Sequence, residues 1–355
     1  MEKIPFMQTR FHDEDAYAVF NQIKSGFIGP GTSVKELSES LAYKNMRKNC
    51  QLTTSGTVAL SVAAIAAGLK KGDEILVPAY GVISTIHAFK SIGLLPRLVD
   101  IDINTASISL KEISKSITKK TRAICYVNFA GNTGQDLVDI ERFCKDSNLI
   151  LIEDAACALG NSFKGRMAGS FGNVSTYSFS APKVITTGQG GAILTDDEKI
   201  FKYVNEVIDL GDTNWRKTNI NRNIGSNLRY TNLQAELGKS QLKFLKNKLK
   251  NRKNFFIILK NKLKNKIYES DGLEAPLYNI ILTEHRLEIK DFFKKNLIST
   301  NIQYRAIYEH PPYKDLKFKT FDAAEYWSKN ALFLPFGNGL NHEQCDLIAC
   351  YLKRF

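Results

Sequence analysis

The chain has 355 residues, 43% of them hydrophobic, and its 49 Lys and Arg against 36 Asp and Glu give a formal net charge of +13. This is the composition of an ordinary globular protein, long enough for one large α/β domain and a smaller second one. No segment approaches the roughly 18 uninterrupted apolar residues of a membrane span, and the opening MEKIPFMQTRFHDED has no signal-peptide run, so a soluble, cytoplasmic protein without a membrane partner is expected.

Along the chain, short apolar runs alternate with helical patterns from about residue 49 to residue 197, as in βα units that feed a largely parallel sheet. Strands are expected at 50–53, 74–78, 96–100, 122–127, 149–152, 174–178 and 191–194, with helices at 56–69 and 135–145 among the segments between them. The near-continuous apolar character of RAICYV and LILIED fits strands covered on both faces. After Thr231 the pattern turns mostly helical, with a strand at 278–282, a helix near 288–297 and a final helix at 341–353. This divides the chain into a large domain, 1–240, and a smaller C-terminal α+β domain, 241–355, with a cleft between them for a ligand.

Much of the positive charge sits in LKFLKNKLKNRKNFFIILKNKLKNK, residues 242–266, where Lys and Asn interleave with Leu, Phe and Ile at helical spacing. An amphipathic helix with a solvated basic face accounts for it better than a nucleic-acid groove. The six cysteines form no CxxC pair and read as reduced, and the five histidines lack any metal-site spacing, so no metal is expected.

Three segments carry chemistry. In YSFSAPKVITTGQGGAILTDD, 177–197, a strand ends at Ser178, Lys183 follows five residues later, and a glycine-rich turn leads into the next strand. A lysine that forms an imine needs rigid neighbours and partial desolvation, so that enough of its amine is neutral; Pro182 and the β-branched run after it supply the rigidity. In LILIEDAACALG, Glu153 and Asp154 end a buried strand, where α/β sheets place ligands; Asp154 suits an aspartate that keeps a pyridine nitrogen protonated, or a cap for the following turn. In TTSGTVAL, Ser55, Gly56 and Thr57 join a strand to a helix, as either a phosphate site or a plain N-cap, with Ser178 able to add a hydroxyl.

The order and spacing of these segments resemble the sugar aminotransferases of the DegT and StrS type, within the fold-type I pyridoxal-phosphate enzymes. The resemblance runs from SGFIGPGTSVKELSESLA through SGTVAL, GDEILVPAYGVISTIHA, PRLVDID, IEDAACALG, SFSAPKVITTGQGG and GSNLRYTNLQAELGKSQL to IQYRAIYEHPPY and ALFLPFGNGLNHEQCDLI. It implies the fold-type I architecture, with a mostly parallel seven-stranded sheet in the large domain and a smaller C-terminal α+β domain. It also implies pyridoxal 5'-phosphate as cofactor, held as a Schiff base on Lys183, with Asp154 at the pyridinium nitrogen and Ser55, Gly56, Thr57 and Ser178 around the phosphate.

By the same resemblance Asn227, with Arg229 close by, reaches the phosphate of a neighbouring subunit, which implies a homodimer with shared sites. Tyr308 and His310, with Arg305, lie where the small domain could close over substrate, although packing explains them equally well. The family's usual aromatic residue over the pyridine ring is replaced by Val82, leaving that contact to Tyr80 or to an aliphatic side chain. The family's Gln or His toward the cofactor hydroxyl is here Cys157, and its Gly-Glu-Gly-Gly is Gly188, Gln189, Gly190, Gly191.

The reaction implied is transfer of an amino group from L-glutamate to a nucleotide-linked keto-deoxy sugar, with the C4-aminating, perosamine-synthase-like subgroup the better match to KVITTGQGG. C3 amination is the alternative. Sister dehydratases of the same fold carry histidine in place of the lysine, so Lys183 speaks against that chemistry, and neither a non-catalytic regulator nor a nucleic-acid module requires Lys183, Asp154 and the phosphate loop in this order.

Overall fold

The computed structural model describes residues 2–263 and 266–355. Its centre is a sheet of seven strands: β1 (Asn49–Thr53), β2 (Glu74–Pro78), β3 (Leu95–Val99), β4 (Thr121–Val127), β5 (Ile150–Asp154), β6 (Val174–Ser178) and β7 (Gly191–Thr195). They lie in the order β1-β7-β6-β5-β4-β2-β3, and β7 alone runs antiparallel to its neighbours. The expected strands are all present, with bounds shifted by one or two residues. Helices on both faces bury them, so Ile75, Leu76, Ile124, Cys125 and Ile152 are excluded from solvent.

The carboxyl ends of β1, β2, β4, β5 and β6 meet on one edge, where the chain order reverses around β7. That edge receives the helix Gly56–Ala66 after β1 and the helix Ile83–Ser91 after β2.

In the C-terminal part, the helices Leu245–Leu263 and His342–Leu352 pack together, and Asn279–Leu282 pairs antiparallel with Ala331–Leu334. Near the start of the chain, Met7–Gln8 runs parallel to Phe336–Gly337, and Ile4 bridges to Ile298. The two parts are fastened at the end of β3. Asp100 accepts the Ala323 and Ala324 amides at 3.2 and 3.0 Å, and Trp327 donates its indole N–H to Ile103 O at 2.9 Å.

The basic stretch departs from expectation. Helix Asn232–Lys243 ends at Phe244 before Leu245–Leu263 begins, and residues 264–265 of the stretch lie outside the described residues. Its face is not wholly solvated, because Lys248 and Arg252 are buried. Lys248 donates to Gln241 Oε1 at 2.9 Å, while Arg252 donates to Leu277 O at 2.9 Å and to Asn338 Oδ1 at 3.0 Å. Long side chains on the inner face turn their charge inward where acceptors await them, which periodicity alone does not reveal. No helix among the described residues is long and apolar enough to cross a membrane.

Candidate active site

A cavity of about 290 Å³ opens at the carboxyl edge of the sheet, lined by residues from five strand ends and the loops after them. Of the residues singled out from sequence, Ser55, Gly56, Thr57, Val82, Asp154, Cys157, Ser178 and Lys183 all line it, as does Gln189. Its size sits near the lower end for small-ligand pockets.

One end is a helix N-terminus. Ser55 caps the helix Gly56–Ala66 by accepting the Val58 amide at 3.2 Å. The amides of Gly56 and Thr57 have no acceptor among the described residues, which leaves two donors and the positive end of the helix dipole facing the cavity. Gly56 is needed for this approach: a Cβ there would lie 2.8 Å from Ser178 Cβ. A dianionic phosphate fits such a cradle.

Asp154, at the end of β5, is 4% exposed. Its Oδ2 accepts the Thr85 hydroxyl at 2.9 Å and its Oδ1 the Ala156 amide at 3.2 Å. Burial pushes this carboxyl above its ordinary range, while Thr85, Ala156 and the Lys183 charge pull it back. A carboxylate so placed gains from a cationic ring nitrogen beside it, which is what a pyridinium offers.

Lys183 sits in the loop between β6 and β7. The Thr187 amide donates to Phe179 O at 3.0 Å and the Phe179 amide to Gly190 O at 2.8 Å, closing that loop at its base. Gln241, fully buried on helix Asn232–Lys243, accepts the Thr186 amide at 3.1 Å and donates to Thr186 O, so one side chain takes both backbone groups of that residue. Lys248 reinforces Gln241. Lys183 itself is 9% exposed, and its Nζ lies 3.2 Å from Cys157 Sγ. Burial alone disfavours the charged amine, but Cys157, Tyr304 and Asp154 outweigh it and hold the amine above the ordinary lysine range. Burial thus works toward a neutral amine, and these neighbours work against it.

Other residues expected at the site lie elsewhere. Tyr80 does not line the cavity: its ring is buried among Phe129, Tyr304 and Trp327, at centroid distances of 5.6, 6.2 and 5.8 Å, so Val82 is the contact on that side. Tyr308 is directed to the helix Asp322–Asn330, stacking on Phe321 and donating to Glu325 at 3.2 Å. His310 precedes the short turn Pro311–Leu316, outside the cavity lining. Arg305 pairs with Glu309 at 3.1 Å. Asn227 is exposed and bridges to Asp209, which also holds Arg229 at 2.7 Å, so within one chain neither reaches the cavity. Thr85, Gln241 and Lys248 had no signal in their local sequence, since each acts across the fold.

Residues 10–353 match the family model described as the DegT/DnrJ/EryC1/StrS aminotransferase family. A GDP-perosamine synthase from Escherichia coli O157:H7 is 29% identical over 367 aligned positions, covering 100% of this chain and 99% of that protein. Among solved structures, DesV of S. venezuelae, in complex with a ketimine intermediate, superposes with a TM-score of 0.93 at 22% identity, covering 100% of this chain and 98% of that one. The E. coli GDP-4-keto-6-deoxy-D-mannose-3-dehydratase with bound hydrated PLP gives a TM-score of 0.91 at 24% identity, covering 99% of this chain and 100% of the other.

Proposed function

This chain belongs to the DegT/DnrJ/EryC1/StrS aminotransferase family of pyridoxal-phosphate-dependent sugar aminotransferases, and from that premise we propose that it moves the amino group of L-glutamate to C4 of a nucleotide-linked 4-keto-6-deoxy sugar. The observation that carries the reading is the convergence of Lys183, Asp154 and the free amides of Gly56 and Thr57 on one cavity.

Lys183 Nζ would hold the cofactor covalently and, when free of it, would carry the proton between the donor carbon and the sugar carbon. Bound pyridoxal phosphate supplies an electron sink for the carbanion. Asp154 would keep the ring nitrogen protonated, and the Gly56 and Thr57 amides with the Ser178 hydroxyl would hold the phosphate. Val82 would pack against the ring. Asn227 and Arg229, outside their own chain's cavity, serve the site of a second copy in a homodimer, while Tyr308 and His310 belong to the region that closes toward the sugar.

The perosamine-synthase relative makes a GDP-linked 4-keto-6-deoxyhexose the first acceptor to try, and C3-keto isomers the second. Lysine at 183, where the sister dehydratases have histidine, favours amino transfer over removal of a hydroxyl. The test is incubation with ¹⁵N-glutamate, pyridoxal phosphate and each keto-sugar, read by mass spectrometry and NMR. The expected product is a sugar carrying ¹⁵N at C4; loss of a hydroxyl without nitrogen gain would sink the proposal, and ¹⁵N at C3 would move it to the alternative position.

A further inference from the structure

We propose that Cys157 is a positioning residue for Lys183: its sulfur accepts a hydrogen bond from the Lys183 ammonium, holds Nζ at the cavity wall and keeps the proton there until the cofactor arrives. This rests on the reading of Lys183 as the cofactor lysine and adds the control of that lysine's proton. Where the family resemblance leads to a Gln or His directed at the cofactor hydroxyl, this chain has a thiol directed at the lysine.

Nζ and Sγ lie 3.2 Å apart, and both side chains are buried at the cavity. An ammonium has only donors, whereas the sulfur has lone pairs to accept, so the charged amine fixes the direction of the bond. The other groups facing the pair are engaged elsewhere. Asp154, at the end of β5, spends its two oxygens on Thr85 and Ala156. Tyr304, from the C-terminal part, donates to Tyr278 Oη at 3.0 Å. Arg252 bears on Cys157 from the helix Leu245–Leu263, with its own N–H groups on Leu277 and Asn338. Among the described residues, the Cys157 sulfur is the one acceptor within hydrogen-bond reach of Nζ.

The consequence is a gate on cofactor capture. Nζ must release a proton to solvent before its lone pair can form the bond to the aldehyde carbon, whose oxygen leaves as water. An acceptor that favours the protonated amine slows this step at neutral pH and moves its pH profile upward.

The experiment follows covalent capture of pyridoxal phosphate by cofactor-stripped wild type, Cys157→Ser and Cys157→Ala from about pH 6 to 10, trapping with borohydride and mapping the labelled lysine. With Ala, the profile is expected to move to lower pH, and the rate at neutral pH to rise roughly tenfold for each unit moved. Ser keeps an acceptor at similar volume and is expected to restore much of the wild-type profile. Labelling of Lys183 with an unmoved profile in Ala, or an equal displacement in Ala and Ser, overturns the proposal alone. Labelling of a different lysine in wild type overturns the Lys183 reading and this proposal with it.

Discussion

The hydroxyl of Thr85 donates to Oδ2 of Asp154 across 2.9 Å, joining the first turn of the helix after β2 to the end of β5. This bond favours the ionised carboxylate against the burial that opposes it. Replacing Thr85 with Val keeps shape and removes the donor. Cofactor affinity should fall about tenfold, near the ~1.5 kcal/mol of a hydrogen bond to a charged group. A fluorescence titration with pyridoxal phosphate checks this, and an unchanged Kd would refute the role given to Thr85.

Gly191 opens β7 directly against the phosphate cradle. A Cβ there would lie 2.4 Å from Ser55 O and 2.6 Å from its carbonyl carbon, both backbone atoms that cannot swing aside. Gly191→Ala should cost about 2 kcal/mol or more and weaken cofactor binding as the β1 end shifts. Urea unfolding of the two proteins measures the first effect; coincident midpoints would show that the strand absorbs the methyl group.

Lys248 gives a pH-dependent prediction. Burial lowers its pKa from the ordinary 10.5 to about 8. Between these values the folded chain binds fewer protons than the unfolded one, so this residue makes stability rise with pH by up to about 1.4 kcal/mol per unit, and its full penalty stands below pH 8. Lys248→Met should therefore be most stabilising, relative to wild type, below pH 8, with the gain shrinking toward pH 10.5. Gln241 Oε1 keeps the Thr186 amide as its donor. Thermal melts of both proteins across this range test the sign; a constant difference would contradict it.

Asp100 caps the helix Asp322–Asn330 across the seam between the two parts of the chain. Asp100→Ala strands two helix amides and that of Ile101 and removes a negative charge from a helix N-terminus, for an expected loss of about 1–2 kcal/mol. Amide exchange should then accelerate selectively in residues 322–330. Uniform protection would mean that Trp327 and its neighbours carry the seam alone.

The sheet was legible because its strands are covered on both faces, leaving apolar runs such as RAICYV with no competing helical period. Lys183 and Asp154 were legible through their company, a strand end and a glycine-rich turn. The helix Ile83–Ser91 falls where a helix between strands was expected, but VISTIHAF is rich in β-branched residues and gave it no bounds, so Thr85 was not singled out. Contacts such as Gln241 with Thr186, 55 residues apart, have no local trace. The inward turn of Lys248 and Arg252 is of the same kind: spacing identifies the inner face of a helix but not the acceptors waiting there.

The parallel pairing of Met7–Gln8 with Phe336–Gly337 has a consequence for biosynthesis. Residues 55–189 contain every side chain that lines the cavity, so they leave the ribosome long before residue 336 is made. An unfinished chain can thus assemble the pocket while its earliest strand still waits for a partner. The last seam to form joins residues 7–8 to residues 336–337, and until then a short unpaired edge stays open to chaperones or to another chain.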